Sequence, residues 1–243
     1  MSNPMLNSNR FVQDTVLNGE PMTIQGTVNK IFMLFACLIA GAAISVYYVF
    51  IQNEQYIYPL IWGSILVAFI LAMVTAFMPK AAKYTAAPYA LLEGIALGGF
   101  STFFEAYYKG IVLQAVIATF AVLFTMLLLY KAKIIKYTAK FNAVLLTALS
   151  SVLVIYIIQI IAQMFSRSIP LIFDAGPVGI VFSLIVVGVA AACFISDFFL
   201  IEESSNQLLD KDFEWYGAFS LMVTVVWLYL EILRLLAKLN SRR

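Results

Sequence analysis

The sequence predicts an all-α membrane protein, a seven-transmembrane-helix bundle with its last helix central. Three observations carry that reading. First, the 243 residues are 63% hydrophobic and only 12% charged, with a mean hydropathy of +0.95, whereas soluble domains run near half apolar and a quarter charged. Second, apolar runs recur seven times, at about 30–50, 57–78, 85–104, 110–130, 142–165, 177–200 and 215–239. Each is close to the roughly 20 residues that carry a helix across a bilayer. Third, the last run holds Glu231 and Arg234 inside an apolar segment. An acid at membrane depth costs a few kcal/mol or more unless it faces a partner, a cavity or the protein interior, so Glu231 looks inward and its helix is central.

The elements follow in order. Residues 1–29 are polar and mixed, with Gly19, Pro21 and Gly26 as breakers, and form an N-terminal tail. A short amphipathic helix around Ser8 to Leu17 is weakly signalled, and no cleavable signal is expected before the first span. Residues 30–239 make one seven-helix transmembrane domain, because the linkers at 51–56, 79–84, 105–109, 131–141, 166–176 and 201–214 leave no room for a soluble one. Residues 240–243 are a basic C-terminal tail. Tyr47, Tyr48, Tyr56, Tyr58, Tyr84, Tyr107, Tyr108, Tyr130, Trp215 and Tyr216 fall near the ends of the runs, the level of headgroup anchors. In the third run Gly94, Gly98 and Gly99, and in the first Gly41-Ala42-Ala43, read as close-packing faces between helices.

With an N-terminus inside, Arg10, Lys30, Lys80, Lys83, Lys131, Lys133, Lys136, Lys140 and Lys211 share the cytoplasmic side, and the opposite loops hold Lys109 and Arg167. The positive-inside rule therefore places the tail in the cytoplasm. Seven spans then leave Arg234, Lys238, Arg242 and Arg243 towards the far side, against the same rule.

Composition also excludes classes. A net charge of +2 spread over loops offers no surface for nucleic acid. Cys37 and Cys193 both lie in apolar runs, where thiols behave as small hydrophobes and not as a disulfide. The sequence has no histidine, which removes His-based metal sites and catalysis, and any response to pH near neutrality falls to carboxylates. HExxH and Gly-x-Ser-x-Gly motifs are also missing, so the chain is not expected to be an enzyme. No cofactor or structural metal is expected.

Glu93, Asp197 and Glu231 are the acids inside runs, while Glu105, Glu202 and Glu203 at the edges are expected to be solvated. Helical spacing puts Thr224, Trp227, Glu231, Arg234 and Lys238 on one face of the last run, a polar seam in which Glu231 and Arg234 are neighbours one turn apart. Asp197 has apolar neighbours and either lies at the headgroup level or faces another helix; Glu93 lies deeper. Two acids that met in a dry bundle would share a proton and sense pH without histidine.

Residues 22–30 (MTIQGTVNK), 89–98 (YALLEGIALG), 110–115 (GIVLQA), 214–219 (EWYGAF) and 227–236 (WLYLEILRLL) resemble a bacterial branch of the Bax inhibitor-1 (TMBIM) family. The resemblance implies seven helices with the last one wrapped by the others, a bacterial inner membrane, and a pH-sensitive calcium leak. It further implies a proton-sharing pair of acids on the sixth and seventh helices, at the positions of Asp197 and Glu231, with a glutamate here where better-known members have an aspartate. Those members hold the pair with a second-helix arginine, but residues 57–78 contain no basic residue. Arg234, or Glu93 as an extra acid, is the candidate substitute.

The expected function is a cation leak, with Ca²⁺ or H⁺ permeant and Asp197 and Glu231 as transient oxygen ligands and pH sensor. The expected setting is the lipid bilayer. The alternative is a non-transporting regulator that binds membrane-protein partners and whose buried acids are structural.

Overall fold

The computed structural model describes residues 20–51, 57–165, 172 and 174–241. Expectations for the Ser8–Leu17 helix, and for Arg10, Tyr56, Arg167, Arg242 and Arg243, fall outside them. The described residues form seven α-helices: α1 (Ile24–Ile51), α2 (Ile57–Phe77), α3 (Ala82–Tyr107), α4 (Ile111–Lys131), α5 (Ala139–Met164), α6 (Pro177–Asn206) and α7 (Phe213–Asn240). A 3₁₀ turn, Pro79–Ala81, leads into α3.

Six of the seven are long and apolar enough to cross a membrane; α3 is not among them. At 26 residues its length suffices, but Lys83, Thr85, Glu93, Thr102 and Glu105, with Gly94, Gly98 and Gly99, dilute its apolar content. What the third run spends in hydropathy goes into close packing.

Helix α1 starts at Ile24, inside what the sequence alone assigns to the tail. Thr23 is the reason: its Oγ1 accepts a hydrogen bond from the Gly26 amide at 2.9 Å, the geometry of an N-cap that satisfies an orphan donor of the first turn.

The chain groups into two compact units, Met1–Thr102 with Phe199–Met222, and Phe103–Phe198 with Val223–Arg243. In the first unit α1 and α3 touch through backbone. A Cβ added at Gly41 would stand 2.1 Å from the Leu91 carbonyl oxygen, and one at Gly94 2.1 Å from that of Leu38, so only glycine permits the approach. Tyr89 meets Phe219 edge-on at 5.0 Å between ring centroids. The core of the second unit gathers Ile111, Ala115, Val186, Ala190, Phe194, Leu228 and Leu233.

Helix α7 is the least exposed of the six membrane-length helices. Of its most apolar 18-residue stretch 67% is buried, against 39% for α6 and 17% for α1, α2, α4 and α5. The outer faces of those helices carry Phe32, Trp62, Phe69, Leu113 and Phe124, all exposed, as a surface solvated by lipid requires. Tyr47, Tyr84 and Tyr107 near helix ends are exposed too, in keeping with anchors. Cys37 and Cys193 are free thiols.

Candidate functional site

The polar seam of α7 is real and almost wholly engaged. Glu231 is 2% exposed, and its Oε1 accepts from the Tyr156 hydroxyl of α5 at 2.7 Å, from Trp227 Nε1 at 3.2 Å and from an Arg234 guanidinium nitrogen at 3.1 Å. The same nitrogen donates to Oε2 at 3.2 Å and to the Tyr156 oxygen at 2.8 Å. Glu231, Tyr156 and Arg234 thus close a three-membered ring of hydrogen bonds, and the guanidinium also lies over the Tyr156 ring, 5.4 Å from its centroid. Charge-assisted bonds of this kind are what lets a carboxylate remain at depth. The one-turn pairing of Glu231 with Arg234 read from the sequence is present.

Asp197 is buried on α6, and its Oδ2 accepts from the Thr224 hydroxyl of α7 at 2.6 Å. Of the two sequence alternatives for Asp197, the structure realises the one in which it faces another helix. Thr224 and Glu231 are seven residues apart on the same helix, about 10 Å along its axis at 1.5 Å per residue. Asp197 therefore meets α7 at Thr224, about two turns from the level of Glu231.

One turn beyond Arg234, Lys238 is 8% exposed. Its ammonium donates to the Ile172 carbonyl at 3.1 Å, the Gly179 carbonyl at 3.0 Å and the Ser183 hydroxyl at 2.9 Å, which uses all of its donors. Arg234 and Lys238 line an open groove with Phe104, Tyr108 and Asp174, so the ring around Glu231 has an approach from outside.

Glu93 lies elsewhere, half-buried on α3 in the first unit, with no hydrogen bond or ion pair among the described residues. Glu105 is not simply solvated. It is half-buried, and its carboxylate accepts from the Gly110 amide at 2.5 Å and the Val112 amide at 3.1 Å, satisfying the start of α4. Among the described residues no three His, Cys, Asp or Glu side chains gather into a metal site.

Sequence reasoning missed Tyr156 and Glu214. Tyr156 had a signal, since it sits deep in its run while the anchoring aromatics sit at run ends. Glu214 precedes the last run and reads as part of a loop. It is 1% exposed and bound by Lys30 and Thr23.

Seven helices with apolar outer faces and an acid-bearing, largely buried last helix define a polytopic all-α membrane protein. The chain belongs to the Bax inhibitor 1 like family, whose model matches residues 3–241. A search of the curated proteins finds no match.

Proposed function

We propose that the protein is a pH-sensitive cation leak of a bacterial inner membrane, with Ca²⁺ as the permeant ion and its N-terminus cytoplasmic. The observation that carries the reading is Glu231, a carboxylate kept at depth on the most buried helix, with an open groove one side chain away. An acid retained at such a place is a functional candidate by default, because two apolar residues would hold the fold at lower cost. Asp197 and Glu231 are the titrating pair, and carboxylate oxygen is the ligand that Ca²⁺ prefers.

In the geometry seen here the Thr224 hydroxyl donates to Asp197, while Tyr156, Trp227 and Arg234 donate to Glu231 about two turns further along α7. We read it as a state in which the carboxylates are held apart, and sharing one proton requires α6 and α7 to shift along one another. Tyr156 and Arg234 occupy the role that the resemblance gives to a second-helix arginine: both hold Glu231 in place, and Arg234 balances its charge. The chemistry is binding and release of ions and protons, not covalent catalysis.

The completeness of the Glu231 ring favours the second reading, a non-transporting regulator that binds membrane-protein partners and in which the acids are structural. Proteoliposomes loaded with a Ca²⁺-sensitive dye separate the two. Ca²⁺ entry that depends on the protein and changes across a pH series spanning neutrality supports the leak; entry equal to empty liposomes at every pH supports the regulator.

A further inference from the structure

The residues just before α1 are fastened to the turn between α6 and α7. Pro21 and Asp210 form an antiparallel bridge, the Met22 amide donates to the Leu209 carbonyl at 2.7 Å, and the Lys211 amide donates to the Glu20 carbonyl at 3.2 Å. The Lys211 ammonium pairs with the Glu20 carboxylate. Met22 and Leu209 are 2% and 0% exposed, so this short ladder has an apolar backing. Lys83 at the start of α3 reaches Asp212 at 2.5 Å and ties a third element to the same turn.

The contact is completed by Glu214 in the first turn of α7. Its Oε1 accepts from the Thr23 amide at 2.9 Å and the Thr23 hydroxyl at 3.0 Å, and its Oε2 pairs with Lys30. Gly26 makes room for it: a Cβ there would fall 2.2 Å from Glu214 Oε1. All these residues belong to the first compact unit.

We propose that Glu20–Thr23 is a clasp on the first turn of α7, and that its release frees α7 to move and so controls the leak. Three features distinguish it from ordinary packing. Its links converge on one turn and the helix start that follows, so they are lost together. They are mostly polar and charged, and water can replace them where it could not replace an apolar contact. The clasp also closes directly on the helix that carries Glu231, and its regulatory half rests on the leak reading given above.

Gly26→Ala tests the clasp with little threat to folding, because alanine is the better helix former. It is expected to expel the Glu214 carboxylate and to speed hydrogen exchange at the Met22 and Lys211 amides tenfold or more in detergent-solubilised protein. Unchanged exchange overturns the clasp. The regulatory half is read from Pro21→Cys with Asp210→Cys in a Cys37→Ala, Cys193→Ala background. Oxidation is expected to lower Ca²⁺ entry into proteoliposomes several-fold, reduction to restore it, and Gly26→Ala to raise it. Protein-dependent entry that responds to neither change overturns regulation by the clasp. Absence of entry from every sample, wild type included, overturns the leak and regulation together, and the clasp itself then stands or falls on the exchange rates of Gly26→Ala.

Discussion

The Tyr156 hydroxyl stands 2.7 Å from Glu231 Oε1 and donates to it, while its oxygen accepts from Arg234 at 2.8 Å. One phenol on α5 thus bridges an acid and a base that are already neighbours on α7. Without it the ion pair would be a local feature of one helix; with it, the charge on Glu231 is coupled to the position of α5.

Tyr156→Phe follows from that bridge. The variant keeps the ring under Arg234 and removes only the hydroxyl. It is expected to cost about 1.5–3 kcal/mol, the range for a hydrogen bond to a charged group, and to lower the unfolding midpoint in detergent. The leak reading adds a second expectation, a changed pH profile of Ca²⁺ entry, because the hydroxyl that ties Glu231 to α5 is gone. A stable variant with the wild-type profile would confine Tyr156 to a structural role.

Lys238→Met addresses the far end of the same seam. The substitution leaves the Ile172 and Gly179 carbonyls and the Ser183 hydroxyl without the donor they share, a loss of roughly 1–3 kcal/mol for each group left unsatisfied. Thermal unfolding is expected to show a cost larger than for Tyr156→Phe. A neutral result would mean that water or neighbouring donors satisfy the three oxygens.

How far the sequence foretold this architecture differs by residue. The runs were legible because a bilayer demands long apolar helices, and the α7 seam because Glu231 and Arg234 one turn apart are too costly to face lipid. Gly41 and Gly94 were legible as packing residues, since small side chains in spans have few other uses. Glu214 was not. Its burial depends on Thr23 and Lys30, nearly two hundred positions away in sequence, and no local pattern encodes that meeting. Nor did helical spacing give the level at which Asp197 meets α7 relative to Glu231, because the offset between two helices is set by packing along their whole lengths.

Gly94→Ala tests the packing face. The added methyl would lie 2.1 Å from the Leu38 carbonyl oxygen, so α1 and α3 must separate. Overpacking of this sort costs about 1–3 kcal/mol, more than the gain of up to about 1 kcal/mol that alanine brings to a helix. A lowered unfolding midpoint is expected, and a raised one would show that the two backbones are not in contact.

The clasp should weaken in acid. The Lys211 ammonium, through its hydrogen bond to Glu20 and then its charge, holds the Glu20 carboxyl below its ordinary 4.5, with a small loss of hydration and then the Glu214 charge opposing. A carboxyl depressed in the folded state adds stability above its unfolded value and loses it as pH falls through the folded one. Because Glu20 is fully exposed, the effect is small. Exchange at the Met22 amide, corrected for intrinsic chemistry, is expected to be flat from pH 7 to pH 5 and to speed up below 4.5; a rise that begins near neutrality would assign the clasp to another group.

The central claim is that Asp197 and Glu231 are the titrating groups of a leak, and the most direct measurement is Ca²⁺ entry into proteoliposomes across a pH series for Asp197→Asn, Glu231→Gln and the double variant. The account predicts protein-dependent entry in the wild type, a flattened pH dependence in each single variant, and little further change in the double, because members of one functional pair are not independent. Wild-type pH dependence in the double variant would contradict it.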